Sequence, residues 1–435
     1  MKKDNVLAKN AKSNFGMTHW LVILLMMGFG YFSNGSMNDG LNTYVGLFVD
    51  KFGWSSANLL TYSSIAGWVS IIIIIGYTQL ARKAGARKTA ILSMTLAATG
   101  MFLWGRVQSP KMYFVAILIL TASSSGIMVI RNLCINNWFP SKSGLALGWA
   151  TMGPLIATAT VLWLIRFGGK IAGFTGHFDI MVVGFVVLLL ISIFWLRDDP
   201  EDKGCFPDNE KTMTREMAQK IHEKGMEYKK TSPWTIKKLL TNRQVWQIGV
   251  GVGGLNMLIG NSVMSQLIPS IMSHGFERST AMTMMTVGAI VAIPLSYLFG
   301  VIDAKKGSRA TVIIFFIWCA MELTLLILPF QWVIYPAIVM VGGMIGGSGN
   351  IMGAMTTTVF GRYDYANAFA VIYPICVAVR SCSYAFIGNL REITGGYTVP
   401  YVVLICVAVL GIVNAVCIND KMIGRQQFSA EEIND

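Results

Sequence analysis

Charged side chains are scarce in this sequence. Asp, Glu, Lys and Arg make up 13% of its 435 residues, whereas a soluble domain carries about 25%. Apolar residues make up 54%, and the mean hydropathy is +0.56. This composition excludes an ordinary soluble fold and indicates a protein that crosses a bilayer several times.

Metal-binding and redox patterns are also missing from the sequence. The seven cysteines include no CxxC pair, and the four histidines lie far apart. No nucleophile–base pattern occurs either. We therefore expect the cysteines to be packing residues, and we expect no metal, no cofactor, no catalytic residue and no enzyme activity.

Long apolar runs are present on both sides of one charged interval, residues 197–243. Each run has about the 20 residues that a helix needs to cross a bilayer. We count about six runs before the interval and about six after it. Gly53 and Gly275, like Gly85 and Gly307, lie 222 residues apart in similar surroundings. The sequence therefore predicts an all-α membrane protein with twelve transmembrane helices in two pseudo-symmetric six-helix bundles.

The same pattern predicts how the chain is divided. The charged interval becomes a cytoplasmic linker, in which Ser232-Pro233 begins a short helix at the membrane surface. The predicted parts are a tail at 1–17, a bundle at 18–196, a linker at 197–243, a bundle at 244–418 and a tail at 419–435.

The basic residues are distributed unevenly between the loops. With alternating helices and a cytoplasmic N-terminus, about 26 Lys and Arg fall on the cytoplasmic side and about 7 on the outer side. The net charge of +13 therefore reflects orientation rather than a nucleic-acid surface. We expect a multi-pass monomer in a bacterial cell membrane, with both termini cytoplasmic, a small-molecule substrate and no nucleic-acid partner.

Polar residues interrupt the first helix of each predicted bundle. Polar groups are costly in hydrocarbon, so we expect them to line a protein cavity that binds substrate. Asp39 is the candidate for carrying a proton, with a position in the outer loop as the alternative. The candidate binding residues on these two helices are Tyr31, Asn34, Asn38, Asn256 and Asn261.

Arg380 is the most informative charge because about a dozen helical residues flank it on each side. A guanidinium suits a carboxylate, to which it can donate two parallel hydrogen bonds. Arg131 is a second candidate, although it lies close enough to a loop to reach the membrane surface. Glu322, on the ninth helix, is expected to pack or pair. Further candidates for lining the pathway are Asn350, Tyr373 and Tyr384.

Two basic loops that contain glycine, together with the twelve helices, resemble the major facilitator superfamily. Gly53-Trp54-Ser55 and Trp138-Phe139-Pro140, followed by SKSGLALG, are similar to its oxalate:formate antiporter and monocarboxylate transporter branch. The resemblance implies gating loops at Arg82, Lys83, Gly85 and Arg87 and at Asp303, Lys305, Gly307 and Arg309. Two departures stand out: Arg82 occupies a slot where the family has Asp, and the eighth helix lacks the branch's Arg.

The expected function is secondary active transport of a small organic anion, a monocarboxylate, by alternating access. Anion exchange and proton symport both remain open. The alternatives are an efflux permease for a drug or another metabolite, and a membrane sensor built on a transporter fold.

The orientation can be tested by labelling. A single Cys at position 224, in an otherwise cysteine-free protein, should be shielded from an impermeant thiol reagent added to intact cells. A Cys at position 109, in a predicted outer turn, is the control and should react. Labelling at position 224 with position 109 shielded would reverse the orientation, and equal labelling at both would contradict the prediction.

Overall fold

Nearly all of the described backbone is helical. A computed structural model describes residues 15–210 and 215–428. The predictions for most of the N-terminal tail and the last seven residues lie outside these ranges. The helices are α1 (Met17–Asn34), α2 (Leu41–Phe52), α3 (Ser56–Trp104), α4 (Pro110–Trp138), α5 (Ser143–Ala150), α6 (Met152–Phe194), α7 (Arg215–Thr231), α8 (Ile236–Thr241), α9 (Arg243–Trp246), α10 (Leu255–Ser273), α11 (Arg278–Lys306), α12 (Ser308–Ile327), α13 (Ile334–Ser381), α14 (Ser383–Thr394) and α15 (Thr398–Cys417).

The apolar helices are long enough to cross a membrane. Within residues 15–210 and 215–428, eight stretches meet the length and hydropathy of a span, or nine with the bent pair in α3. Two stretches, Ser143–Phe194 and Gln331–Thr394, contain 52 and 64 residues, more than twice the roughly 20 that one crossing needs. Each of them is long enough for two crossings, as is the 49-residue α3. The predicted all-α fold class is confirmed, and six single spans with three of double length in the described chain agree with the predicted twelve helices.

Glycines in the left-handed region divide the longest helices. Gly85 in α3, Gly173 in α6 and Gly361 in α13 have φ values of 84°, 64° and 65°. A residue with a Cβ is strained at such φ values, so glycine is the residue that permits these breaks. The breaks separate successive crossings without an extended loop.

These glycines also reveal the internal repeat. The two pairs expected from sequence both have positive φ, and a third pair at the same 222-residue separation joins them. The pairs are Gly53 (68°) with Gly275 (88°), Gly85 (84°) with Gly307 (82°), and Gly173 (64°) with Gly395 (70°). The repeat therefore preserves turn geometry as well as sequence.

The chain forms two compact units. One contains residues 16–138 and 153–205, and the other contains Phe15, residues 139–152 and the described residues from 206 to 428. In the second unit, α5 packs closely on α11 because Gly144 and Gly148 lie against the backbone of Ser296 and Gly300. The division of the chain into six-helix bundles at 18–196 and 244–418 remains a prediction.

The central segment is fastened within the second unit by two buried carboxylates. Asp364 accepts hydrogen bonds from the Tyr228 and Ser232 hydroxyls at 3.1 and 2.5 Å. Asp208 is 3% exposed. It accepts from the backbone N–H groups of Ser141 and Lys142 at 2.9 and 3.0 Å. Burial raises the pKa of Asp208 to about 6, against the lowering effect of these two hydrogen bonds.

Asp208 should make the segment before α5 sensitive to pH. A raised folded-state pKa means that its contribution to stability is full below the ordinary pKa of 3.8 and is lost as the pH rises through about 6. Asn cannot ionise, and it tolerates the left-handed φ of 56° at this position. The melting temperature of wild type relative to Asp208→Asn should therefore fall between pH 4 and pH 7. Asp202→Asn, at an exposed carboxyl, is the control and should show no such change with pH. A melting-temperature difference between wild type and Asp208→Asn that stays constant from pH 4 to pH 7 would contradict the assignment.

Candidate transport site

Asp39 lies at the centre of a polar cluster in the first unit. Its Oδ2 accepts hydrogen bonds from Asn34 Nδ2 at 2.7 Å and from Thr158 Oγ1 at 3.1 Å. Asn38 Nδ2 donates to Asn34 Oδ1 at 2.5 Å, and Asn34 Nδ2 also approaches the carbonyl of Pro154 at 3.4 Å. Three of the predicted residues thus meet, and α6 contributes Thr158, which the sequence analysis missed.

The backbone places this cluster in a helix rather than in the outer loop. Gly35–Asp39 forms a π-helical turn that continues α1, and α2 begins two residues later at Leu41. A π turn redirects the side chains of one helical turn, and such turns are frequent at functional sites. Near it, Tyr31 and Thr160 share a hydrogen bond at 3.0 Å, so α1 and α6 present hydroxyls and amides together.

Arg380 lies in the second unit, one residue before α13 ends at Ser381. After the turn residue Cys382 the chain continues as helix α14. The Arg380 side chain is half-buried. Among the described residues, its guanidinium has no ion-pair or hydrogen-bond partner. The guanidinium therefore lies at the junction of α13 and α14 without being engaged by another described side chain.

The predicted amides of the second unit differ in their surroundings. Asn256 is 1% exposed and donates to the Ser348 carbonyl at 2.9 Å, which leaves its Oδ1 without a partner among the described residues. Asn261 is half-buried on α10. Asn256 and Asn261 both retain capacity to bind a ligand.

Asn350 has its hydrogen-bonding capacity taken up by protein groups. Its Oδ1 accepts from Thr151 Oγ1 at 2.9 Å, and its Nδ2 donates to the Ser296 carbonyl at 3.0 Å. It joins α11 and α13 to Thr151, the residue after α5. These contacts favour a packing role for Asn350 over a role in binding substrate.

The remaining predicted lining residues are less informative. Arg131 is buried, and its Nη2 lies 2.7 Å from the Met128 sulfur, one turn away on α4. Tyr373 is 5% exposed and stacks on Phe369 with ring centroids 5.3 Å apart. The Tyr384 side chain lies outside the described residues.

The first predicted gating loop, at residues 82–87, contacts an acidic residue, Asp198, that the sequence analysis missed. Asp198, just after α6, accepts a hydrogen bond from the Arg87 backbone N–H at 2.7 Å, and its carboxyl group fills the space where Gly85 has no Cβ. The Arg87 guanidinium also donates to the carbonyl of Ile193 at 2.6 Å, near the end of α6. Of the other two predicted basic residues of this loop, Lys83 is exposed and Arg82 is half-buried.

The second gating loop repeats this contact with a helix end. Arg309 donates to the carbonyls of Ala415 (3.2 Å) and Val416 at the end of α15. The separations of Arg87 from Arg309, and of Ile193 from Ala415, are both 222 residues. The Asp303 carboxylate instead lies against Gly144, where it leaves no room for a side chain. Lys305 is exposed, and Gly307 ends α11 at a φ of 82°.

The helices, the repeat and the polar groups inside the spans define a polytopic membrane transporter. The sequence model of the Major Facilitator Superfamily matches residues 27–382, and the chain belongs to that family. A search of curated proteins finds no match. The superfamily part of the expected resemblance is confirmed.

Solved structures share the fold at low sequence identity. The proton:xylose symporter XylE, bound to 6-bromo-6-deoxy-D-glucose, is similar with a TM-score of 0.70 and 13% identity, covering 97% of this chain and 99% of that one. FucP in the outward conformation gives 0.68 and 13%, covering 92% and 99%. The human organic anion transporter MFSD10 (TETRAN) gives 0.68 and 10%, covering 92% and 100%.

Asp39→Asn tests the polar cluster. An amide oxygen can accept the hydrogen bonds from Asn34 and Thr158, so the fold should be kept, but it carries no proton. Uptake of labelled lactate or formate into proteoliposomes under a pH gradient should drop to the level of protein-free liposomes. Exchange of internal for external anion should continue.

Asp50→Asn is the matched control, because Asp50 is an exposed carboxylate on the adjacent α2. It should leave both modes of uptake unchanged. If Asp39→Asn retains pH-driven uptake at the wild-type rate, Asp39 is not the proton carrier.

Proposed function

We propose that this transporter moves a small organic anion, a monocarboxylate, across the cytoplasmic membrane by secondary active transport. Arg380 carries the proposal. A charged side chain at mid-bilayer costs about 2.5–3.5 kcal/mol on insertion scales. A cation without a protein partner among the described residues offsets that cost when an anion binds it.

The number of cations favours one carboxylate over two. The interior of α11, between Arg278 and Lys305, contains no Arg, so a dicarboxylate would find one of its charges unmatched there. Amides without full sets of partners, such as Asn256, suit the polar part of a short hydroxy- or keto-acid. The proposed site therefore neutralises one negative charge and offers neutral hydrogen bonds beside it.

Coupling follows from the contrast between the two charged residues. Asp39 accepts hydrogen bonds from Asn34 and Thr158, whereas Arg380 awaits an anion. In proton symport, the carboxyl would take up a proton while the guanidinium binds the substrate. In anion exchange, the site would change its exposed side only while an anion is bound to Arg380. In both modes the two halves of the fold expose the site alternately to each side.

Two alternatives make different demands on the same residues. An efflux permease for a cationic drug would favour an acidic cavity. Asp39, the acidic residue of the polar cluster, already accepts hydrogen bonds from Asn34 and Thr158, which makes it less available to a cation. A sensor would bind ligand without moving it. The fold neighbours include sugar symporters and an organic anion transporter, so substrate class is tested with both kinds of compound.

Arg380→Gln tests the anion site. Gln keeps some size and hydrogen bonding but removes the charge, so uptake of labelled lactate and formate should collapse while insertion is unchanged. The expected loss in apparent affinity is about 2–5 kcal/mol, typical of breaking a desolvated charge pair. Arg380→Lys should restore part of the transport, since it keeps the charge without the planar fork.

Arg278→Gln is the matched control, because Arg278 is an exposed guanidinium at the start of α11 and lies outside the proposed site. It should transport the anions as wild type does. Wild-type affinity in Arg380→Gln, or uptake of xylose with no uptake of any carboxylate, would overturn the assignment.

A further inference from the structure

Glu322 is a buried carboxyl that the proposed site does not use. It lies on α12, is 0% exposed, and neither carboxyl oxygen has a hydrogen-bond partner among the described residues. No Lys, Arg or His of the described chain forms an ion pair with it. An ionised carboxylate in such surroundings would cost several kcal/mol, so burial favours the neutral, protonated form.

Two further unsatisfied hydroxyls lie on helices that pack near Glu322. Tyr401, on α15, interacts electrostatically with Glu322 and lies beside Ser270 of α10. Both residues are 0% exposed, and apart from each other Tyr401 OH and Ser270 Oγ have no hydrogen-bond partner among the described residues. On α12 itself, Cys319 also faces Glu322. Three helices thus bring unsatisfied polar groups to one place in an apolar interior.

The cluster lies near one end of each helix. Glu322 is five residues before the end of α12 at Ile327, Ser270 is three before the end of α10 at Ser273, and Tyr401 is three after the start of α15 at Thr398. At 1.5 Å per residue, these groups lie within about 8 Å of the helix ends. That end is opposite the basic loop that joins α11 to α12.

Polar groups continue from the cluster to the surface. The Tyr397 ring stacks on Tyr401 with centroids 5.8 Å apart, and its hydroxyl lies 3.4 Å from Gln266 Oε1. The exposed Arg391 donates to the same oxygen at 3.1 Å. These polar side chains thus lead from the surface towards the buried Tyr401.

His274 lies at the same end of α10 and α12. His274 Nδ1 lies 2.9 Å from the Ser270 carbonyl, and its Nε2 lies 3.2 Å from the Leu328 carbonyl. A neutral imidazole can donate to only one of these oxygens, whereas the protonated ring can donate to both. His274 therefore links the end of α10 to the end of α12.

We propose that Glu322, with Tyr401 and Ser270, forms a proton-binding site that is loaded from the membrane face opposite the basic loops. The site is separate from Asp39, and it gives the second unit a titrating group of its own. Its part in driving uptake rests on the proposed function, but proton binding itself does not.

Infrared spectroscopy of the purified protein in lipid nanodiscs tests proton binding directly. The carbonyl stretch of a protonated carboxyl should be present at neutral pH, should disappear in Glu322→Gln, and should shift within minutes of transfer to D₂O. In Tyr401→Phe the shift should be slower, because the hydroxyl next to Glu322 is gone. Glu392→Gln removes an exposed carboxyl of α14 and should leave the band unchanged.

The proposal is overturned if Glu322→Gln leaves the spectrum unchanged, or if the band does not exchange in D₂O and therefore belongs to a sealed packing group. Because the amide is neutral, Glu322→Gln should fold, and its melting temperature checks this. In proteoliposomes the variant should lose lactate uptake driven by a pH gradient but keep exchange. If wild type moves no carboxylate at all, the proposed function fails while the infrared result still decides the proton site.

Discussion

A backbone carbonyl in hydrocarbon that finds no donor costs several kcal/mol, and the architecture of this chain follows from avoiding that cost. Helices satisfy most carbonyls internally, but the last turn of each helix leaves some without partners. Arg87 and Arg309 donate to such carbonyls at the ends of α6 and α15. Each arginine thereby fastens the start of one helix to the end of another, and the repeat uses the same solution twice.

Ionisable side chains meet the same constraint in three ways. Asp39 is held by two protein donors, Arg380 is half-buried without an ion-pair partner among the described residues, and Glu322 is fully buried with neither carboxyl oxygen hydrogen-bonded there. The first arrangement is stable without a ligand, the second favours anion binding, and the third favours binding a proton. A transporter that couples two species needs groups whose preferred partners differ in this manner.

Most of the fold could be predicted from the sequence because length and hydropathy decide which segments cross a bilayer. The 222-residue repeat predicted two turn glycine pairs, but the third pair, at Gly173 and Gly395, lies in surroundings that differ too much to be recognised. Contacts between distant segments were not predictable. The pairing of Asp198 with Arg87, and of Asn350 with Thr151, depends on helix register and packing. The polar residues of the first predicted helix indicated that Asn34 and Asp39 belong to a polar cluster, but nothing in the sequence indicated that Thr158 joins them.

The contact between α5 and α11 has a consequence for motion. Side chains on a helix normally form ridges that interlock with a neighbour, so one helix slides past another only by lifting ridges out of grooves. Where Gly144 and Gly148 lie on the backbone of Ser296 and Gly300, those ridges are absent. Sliding α5 along α11 therefore requires no side chains to be lifted out of grooves, but the hydrogen bond from Ser296 Oγ to the Gly148 carbonyl, at 2.9 Å, has to break and re-form. A methyl group added at Gly148 or Gly300 would meet the facing backbone and obstruct that movement.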